Sequence, residues 1–311
     1  MAKMFGDEAK RVTNQEMWEV HDELMRKVGG KFCAFELTRT LEEKQDHGDI
    51  DILLLTHPDQ DARKVLEDVL KPEKVAKNGH CLSFLYNSEI GKVHVDFLIS
   101  GDPNLHATKI QYYAFNDLSS TVGAMAKELN FKYGTEGFFK RYQDKRGNWH
   151  DILISVNLNP GLECLGLEPK PLWIKTYDDI VAYVSSSLLF DSAMFAESLE
   201  KEDDGRKKYK VWRKLAEMGK KAAITDPDYF FKRKYAAQYA EVQDKIKDIE
   251  SNTYQPSSRF NGWWLMQTFG IKPGKEVGLV LKALTVQFGE RLDEVPEEEV
   301  INFVKDFLGN K

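Results

Sequence analysis

Two aspartates separated by one residue stand at the start of an apolar run, within residues 48–53. Alternate side chains of a strand share a face, so Asp49 and Asp51 point together while Ile50 and Ile52 pack behind them. Two carboxylates that close repel each other unless water or cations compensate their charge. Magnesium ions, which prefer oxygen ligands, would supply that compensation. A solvated acidic strand end is the simpler alternative for this pair taken alone.

A third carboxylate strengthens the case for a metal site. Asp96 lies in a segment whose alternating apolar residues make a buried face, namely Val93, Val95, Phe97 and Ile99. Asp96 must therefore point to the opposite face, which it shares with His94. If this strand neighbours the strand of Asp49 and Asp51, three carboxylates converge. Such a site suits two-metal phosphoryl transfer, in which one ion holds a triphosphate and the other activates a hydroxyl. For His94 a solvated strand position is the simpler interpretation.

Hydrophobic periodicity indicates the elements that position these residues. It predicts helices over residues 14–28, with Asn14 as the cap, and 59–70, and strands over 31–37, 49–55, 81–86 and 93–99. The first hundred residues therefore form a small α/β domain. Beyond residue 110 the periods become helical, with helices predicted over 228–250, over 275–288 and from Pro296 onward.

Length and composition limit the class of protein. The chain has 311 residues, 42% of them hydrophobic, which favours about two globular domains. Three distant cysteines, none in a CxxC pair, argue against disulfides and structural zinc and favour a reducing compartment. We find no apolar run near 18 residues and no N-terminal hydrophobic signal segment, so we expect a soluble cytoplasmic protein without a membrane partner.

The stretch from His47 to Leu55, followed by Val93 to Phe97, resembles the palm of the DNA polymerase β nucleotidyltransferase superfamily. Residues 112–117, 126–128 and 133–138 are similar to further segments of polymerase β-like members. The resemblance implies that Asp49 and Asp51 bind both of two Mg²⁺ ions, with Mn²⁺ as a substitute. It also implies that Asp96 binds the ion on the nucleophile side and helps to deprotonate the attacking hydroxyl.

The same resemblance implies an α/β fold with a small mixed sheet, followed by a mostly α-helical C-terminal region. We expect a palm over residues 1–110, a nucleotide-side extension over 111–170, and a helical nucleic-acid-binding region over 171–311. The last boundary lies near Pro169-Lys170-Pro171.

One part of the family pattern is missing before the two aspartates. The family usually has a Gly-Ser pair followed by basic residues that grip the triphosphate, and residues 36–44 contain no such pair. Thr38 would replace the serine hydroxyl, and Arg39 or Lys44 the basic grip on the nucleotide. The alternative is that this segment is an ordinary solvated loop.

A basic segment between residues 205 and 234 is a candidate nucleic-acid surface. It holds eleven basic and three acidic residues in a chain whose net charge is −6. Aromatic residues interleave with the basic ones, which suits phosphate contact combined with base stacking. The alternative is a solvated helical face whose aromatic residues belong to the core. The candidate contacts here are Lys207, Lys208, Lys210 and Arg213.

Residues 261–278 are similar to the C-terminal helical region of bacterial CCA-adding tRNA nucleotidyltransferases. Lys272-Pro273-Gly274-Lys275 predicts a tight turn into a helix N-terminus, where free N–H groups and two lysines could hold a phosphate. The alternative is a corner between two helices in which proline and glycine serve only the turn.

These observations favour an Mg²⁺-dependent enzyme that transfers nucleotides from NTP to the 3′ end of RNA, with tRNA preferred through the C-terminal resemblance. The first alternative is a polymerase β-like enzyme that fills gaps or extends ends on a DNA primer. A second alternative is an inactive palm that only binds nucleotide or RNA, and the missing Gly-Ser pair favours it. Modification of a protein or small molecule would leave the basic segment unexplained.

Overall fold

The computed structural model describes residues 5–115, 117–169, 171–200, 207–251 and 259–309. The chain divides into two compact units, Met1–Gln143 with Trp149–Val242, and Asp144–Asn148 with Gln243–Lys311. The boundaries that we expected near residues 110 and 170 fall inside the first unit, and our three-part division stays a prediction.

Strands occupy the first half of the chain. In chain order they are β1 (Val12–Thr13), β2 (Ala34–Leu37), β3 (Asp46–His47), β4 (Ile50–Leu55), β5 (Lys74–Asn78), β6 (Cys81–Ser88), β7 (Gly91–Ser100), β8 (Phe131–Gly134), β9 (Gly137–Gln143) and β10 (Trp149–Ser155). The helices are α1 (Asn14–Val28), α2 (Ala62–Leu70), α3 (Pro103–Tyr113), α4 (Leu118–Glu128), α5 (Leu158–Cys164), α6 (Tyr177–Ser185), α7 (Glu197–Glu200), α8 (Lys207–Glu217), α9 (Tyr229–Lys234), α10 (Ala236–Ser251), α11 (Gly262–Phe269), α12 (Lys275–Phe288) and α13 (Glu297–Gly309).

A mixed sheet with the strand order β2-β4-β7-β6-β5 forms the centre of the first unit. β4 and β7 run parallel, and the other neighbouring strands are antiparallel. One face of the sheet carries the large apolar cluster, which includes Ile52 and Phe97 and continues into α1 and α2. The opposite face carries Leu53 and Leu98, which pack with Ile110 of α3. The alternation that the sequence predicts for β4 and β7 is therefore present.

The first helix confirms the predicted range of residues 14–28, but its cap differs from the expectation. Thr13, rather than Asn14, is the N-cap, because its hydroxyl accepts from the N–H of Glu16 and the Glu16 carboxylate accepts from the N–H of Thr13. The Asn14 amide instead donates to the carbonyl of Lys44 at 2.9 Å and contacts His47 Nε2 at 2.7 Å. Asn14 thus ties the helix to the loop before β4.

Two expectations beyond residue 110 were wrong. The region is not purely helical, since β8, β9 and β10 form an antiparallel sheet. The single helix predicted over residues 228–250 is interrupted at Tyr235, whose φ of −131° and ψ of 49° are not helical. The Tyr235 hydroxyl hydrogen-bonds the Glu163 carboxylate, a contact that no local periodicity encodes.

The second unit has its own apolar core, built on the helices α11, α12 and α13. The predicted helix over residues 275–288 is confirmed, and the last helix begins directly after Pro296 as expected. The buried side chains of this second core are Phe260, Leu265, Ile271, Val280, Leu284, Phe288, Leu292, Val300 and Val304. The mixed α/β sheet followed by a mostly helical C-terminal region confirms the predicted fold class. Among the described residues, none of the helices combines the length and the apolar character needed to cross a membrane.

Two helical glycines make a matched test of packing. A Cβ atom on Gly161 of α5 would lie 2.5 Å from Cγ of Phe138, a ring that is fully buried. We expect Gly161→Ala to lower the free energy of unfolding by about 1–3 kcal/mol through overpacking. On Gly123 of α4 the nearest atom would be the Tyr133 carbonyl oxygen at 3.8 Å. Gly123→Ala should therefore raise that free energy by about 0.5–1 kcal/mol, because alanine favours the helix. Urea unfolding measures the free energy of unfolding of both variants. Equal changes in the two variants would contradict the packing described for Gly161.

Candidate active site

The parallel pairing of β4 and β7 places two of the predicted site residues side by side. Asp51 is the direct register partner of Asp96. Asp49 immediately precedes β4, and all three aspartates line one cavity of about 300 Å³. The structure thus brings the predicted carboxylates together. The other lining residues are Asn78, His80, Cys81, Leu98, Lys109, Tyr113 and Thr135.

Burial and the three carboxylates together disfavour negative charge in the cavity. Burial together with the charges of Asp49 and Asp96 raises the pKa of Asp51 to about 7. Burial, and then the charges of Asp51 and Asp96, raises the pKa of both Cys81 and Tyr113 to about 12. Each shift disfavours a negative charge at this place, so a cation in the cavity would be stabilised.

The donor set fits a magnesium ion that shares its ligands with a substrate. Among the described residues, no three His, Cys, Asp or Glu side chains are arranged to hold a metal ion by themselves. Mg²⁺ usually keeps several waters and is bound by one or two carboxylates together with substrate phosphates. The oxygen-only donors Asp49, Asp51 and Asp96 suit that mode of binding.

Asp96 is already held by a neighbour on its own strand. His94 Nε2 lies 2.8 Å from Asp96 Oδ1, and both side chains are buried. The expectation of a solvated His94 was wrong, because the ring of Phe5 covers it edge-on with centroids 4.9 Å apart. Sequence alternation put His94 on the correct face, but the covering residue is distant in the chain.

The segment expected to hold the triphosphate follows β2, the neighbour of β4, and none of Thr38, Arg39 and Lys44 lines the cavity of the three aspartates. The N–H of Thr38 donates to the carbonyl of Asp51 at 3.1 Å, which continues the β2–β4 pairing beyond β2. Lys44 lies close enough that its charge lowers the pKa of Asp51, against the larger effect of burial. Arg39 instead lines a second cavity of about 640 Å³, and its carbonyl accepts from the N–H of Phe115.

Sequence reasoning missed the residues that close the cavity opposite the sheet. Lys109 and Tyr113 lie one helical turn apart on α3 and both face the cavity. The Lys109 ammonium donates to the carbonyl of Ile99 at 2.6 Å, and its burial lowers the pKa of this lysine. Asn78 is the last residue of β5, and His80 lies in the turn between β5 and β6. The spacing of four residues between Lys109 and Tyr113, which puts them on one face of a helix, was the signal in the sequence that could have indicated them.

The basic segment is partly neutralised by acidic residues. Its lysines form exposed ion pairs, namely Lys214–Asp178, Lys221–Asp191, Lys232–Asp226 and Lys234–Glu163. Trp212 Nε1 donates to Thr121 Oγ1 at 3.1 Å, and Phe231 is fully buried, so these two rings serve packing. Lys210 is exposed and Arg213 is half-buried. Arg206 and the side chains of Lys207 and Lys208 lie outside the described residues.

The C-terminal turn has the predicted form. α11 ends on Gly270 with φ of 65°, and α12 begins after Gly274 with φ of 148°, a backbone that favours glycine. Lys272 and Lys275 are both exposed at this turn. Their contact with a nucleic acid stays a prediction.

Comparisons with known proteins find similarity among solved structures. No protein-family model matches the chain, and no curated protein matches it. Among solved structures, Leishmania infantum polymerase beta in a ternary P/T complex is 13% identical, with a TM-score of 0.33. The match covers 43% of this chain and 59% of the polymerase chain. A likeness of this degree says nothing about activity.

Magnesium should stabilise the folded protein through these carboxylates. At pH 8, where Asp51 is ionised, we expect MgCl₂ at one hundred times its Kd to add about 2.7 kcal/mol to the free energy of unfolding. Asp51→Asn should remove most of this gain while unfolding no more easily without Mg²⁺, because the amide relieves charge repulsion. Calorimetric Tm values with and without MgCl₂ measure both effects. Asp68→Asn, at an exposed position of α2, is the control. An equal Mg²⁺ gain in wild type and Asp51→Asn would contradict the site.

Proposed function

We propose that this protein is a metal-dependent nucleotidyltransferase that moves a nucleotide from NTP to the 3′ hydroxyl of a nucleic acid. The observation that carries the proposal is the register of β4 and β7, which pairs Asp51 with Asp96 in the cavity that Asp49 also lines. Carboxylates so placed suit catalysis at a phosphoryl group, where charge on transferring oxygens must be compensated.

Each carboxylate has a role in this reaction. Two Mg²⁺ ions, when bound, would neutralise phosphate charge and acidify the attacking hydroxyl. Asp49 and Asp51 would hold both ions, and Asp96 would hold the one on the nucleophile side. Asp96 also takes the proton of the 3′ hydroxyl as its oxygen attacks the α-phosphorus. The bond from that phosphorus to the β-phosphate oxygen breaks, and pyrophosphate leaves.

The nucleotide would lie toward the edge strand of the sheet. Thr38 is fixed there by its backbone hydrogen bond to Asp51, and the Lys44 charge reaches the same carboxylate. A hydroxyl and an ammonium beside the ion-binding carboxylates suit a triphosphate. Arg39 follows Thr38 directly and would contact the nucleotide from the neighbouring cavity.

The preferred acceptor is the 3′ end of an RNA, and tRNA in particular. Support for tRNA comes from the resemblance of residues 261–278, with Lys272 and Lys275 exposed at the turn. The second candidate is a polymerase β-like DNA polymerase acting on a primer, which the resemblance of residues 112–138 favours. The third is an inactive palm that binds nucleotide or RNA, which the missing Gly-Ser pair favours.

A transfer assay tests the activity and separates the acceptors. Purified protein is incubated with labelled NTPs or dNTPs, Mg²⁺, and either tRNA lacking its 3′ end or gapped and primed DNA. We expect extension of tRNA, and a loss of more than ~100-fold in Asp49→Asn and in Asp96→Asn, because each removes an ion ligand. Asp68→Asn should retain full activity. Extension of DNA alone would favour the polymerase, and no extension by wild type with retained RNA binding would favour the inactive palm.

Charge reversal tests the proposed nucleic-acid surface. Replacing Lys207, Lys208 and Lys210 with Glu should weaken RNA binding and reduce its salt slope by about one unit for each lost phosphate contact. Lys272→Glu with Lys275→Glu should act in the same direction. For the triple variant the control is reversal of Lys31, Lys64 and Lys305, which are exposed elsewhere and change the net charge by the same amount. Binding titrations over a range of KCl concentrations give the slope of log Kd against log [KCl] for each variant. Equal slopes in all variants would contradict this surface.

A further inference from the structure

The acidic cavity contains one carboxylate whose orientation is fixed from outside the cavity. His94 and Asp96 are two residues apart on β7, so their side chains share a face of the sheet. His94 Nε2 lies 2.8 Å from Asp96 Oδ1, at hydrogen-bonding distance. The exposed fraction of Asp96 is 2% and that of His94 is 9%. A carboxylate this buried needs its charge satisfied by hydrogen bonds or cations.

The histidine is in turn confined by the N-terminal segment. The Phe5 ring meets the His94 ring at an interplanar angle of 80°. This edge-on contact restrains the imidazole while leaving Nε2 directed at Asp96. With Oδ1 engaged by the imidazole, Asp96 would offer its second oxygen, Oδ2, to the cavity that it lines together with the Cys81 thiol.

We propose that His94 is a positioning residue, which holds the Asp96 carboxylate so that Oδ2 binds the ion on the nucleophile side. The proposal rests on the proposed nucleotidyl transfer. Partners that orient a metal-binding side chain typically change metal affinity or activity by about 10–100-fold when they are removed. His94 donates the hydrogen bond and is not among the residues that line the cavity, so its direct contact with the site is through Asp96.

The test compares two unbranched side chains at position 94. Gln places an amide N–H about as far from the backbone as Nε2 of histidine, and Met fills a similar volume without any donor. We expect His94→Met to weaken the binding of Mn²⁺ alone, followed by electron paramagnetic resonance, by about 10-fold or more. Its kcat should fall by a similar factor while the KM for NTP stays unchanged, because the triphosphate lies on the other side of the site. His94→Gln should recover most of both losses.

A matched control is available in the same unit. His21 on α1 is also 9% exposed, and its Nδ1 lies 3.0 Å from Asp22 Oδ1, away from the residues that line the cavity. His21→Met should leave Mn²⁺ affinity and kcat at wild-type values. His94→Ala is the second donorless variant, for use if His94→Met does not fold by circular dichroism.

The outcomes separate this proposal from the transfer function. Wild-type Mn²⁺ affinity in both donorless variants would overturn the positioning role, as would a Gln variant as defective as Met. If either result is found while Asp96→Asn still abolishes transfer, the nucleotidyl-transfer function is retained and only the role of His94 is rejected. If His94→Met weakens Mn²⁺ binding and Gln restores it in a protein that transfers nothing, the positioning role stands and the transfer function fails.

Discussion

The hydrogen-bonded ladder between β4 and β7 determines both the core and the candidate site. In this parallel register Ile52 lies beside Phe97 on the apolar face, while Asp51 lies beside Asp96 on the other. A slip of one residue would turn Asp96 toward the core and expose Phe97, so burial of the apolar face enforces the carboxylate pair. The energy that fixes the site therefore comes from side chains on the opposite face of the sheet.

Clustering three carboxylates opposes folding, and the surroundings offset part of that cost. Burial and like charge raise the pKa of Asp51, which means that its ionised form is disfavoured in the folded state. The charges of Lys44 and His94 favour the ionised form of Asp51, and His94 hydrogen-bonds Asp96. Unfavourable charge of this kind persists where function requires it, because a stable core elsewhere compensates.

Features of the fold and site that depend on neighbouring residues in the chain could be predicted from the sequence, and features that depend on long-range contacts could not. The strands carrying Asp51 and Asp96, and the range of α1, followed from short-range periodicity. The β8–β10 sheet did not, since β9 has two adjacent aromatic residues followed by two adjacent basic ones instead of an apolar–polar alternation. Its Lys140 is buried against Asp228, the residue before α9 and distant in the chain. Burial of His94 by Phe5 and the break in the helix at Tyr235 also depend on contacts between residues far apart in the chain. Predictions of nucleotide and nucleic-acid contacts remain predictions.

The ion pairs of the basic segment change what its charge can do. Pairs such as Lys214–Asp178 and Lys221–Asp191 are exposed at the lysine, and exposed pairs contribute only about 0–1 kcal/mol each. A phosphate can therefore replace the carboxylate at small cost, while the released aspartate returns to water. Because the carboxylate stays near the lysine, such a lysine neutralises less phosphate charge than an unpaired one, and fewer counterions leave the nucleic acid. The charge counted along the sequence thus overstates the salt dependence of any nucleic-acid binding, and the ion pairs set how much of it remains.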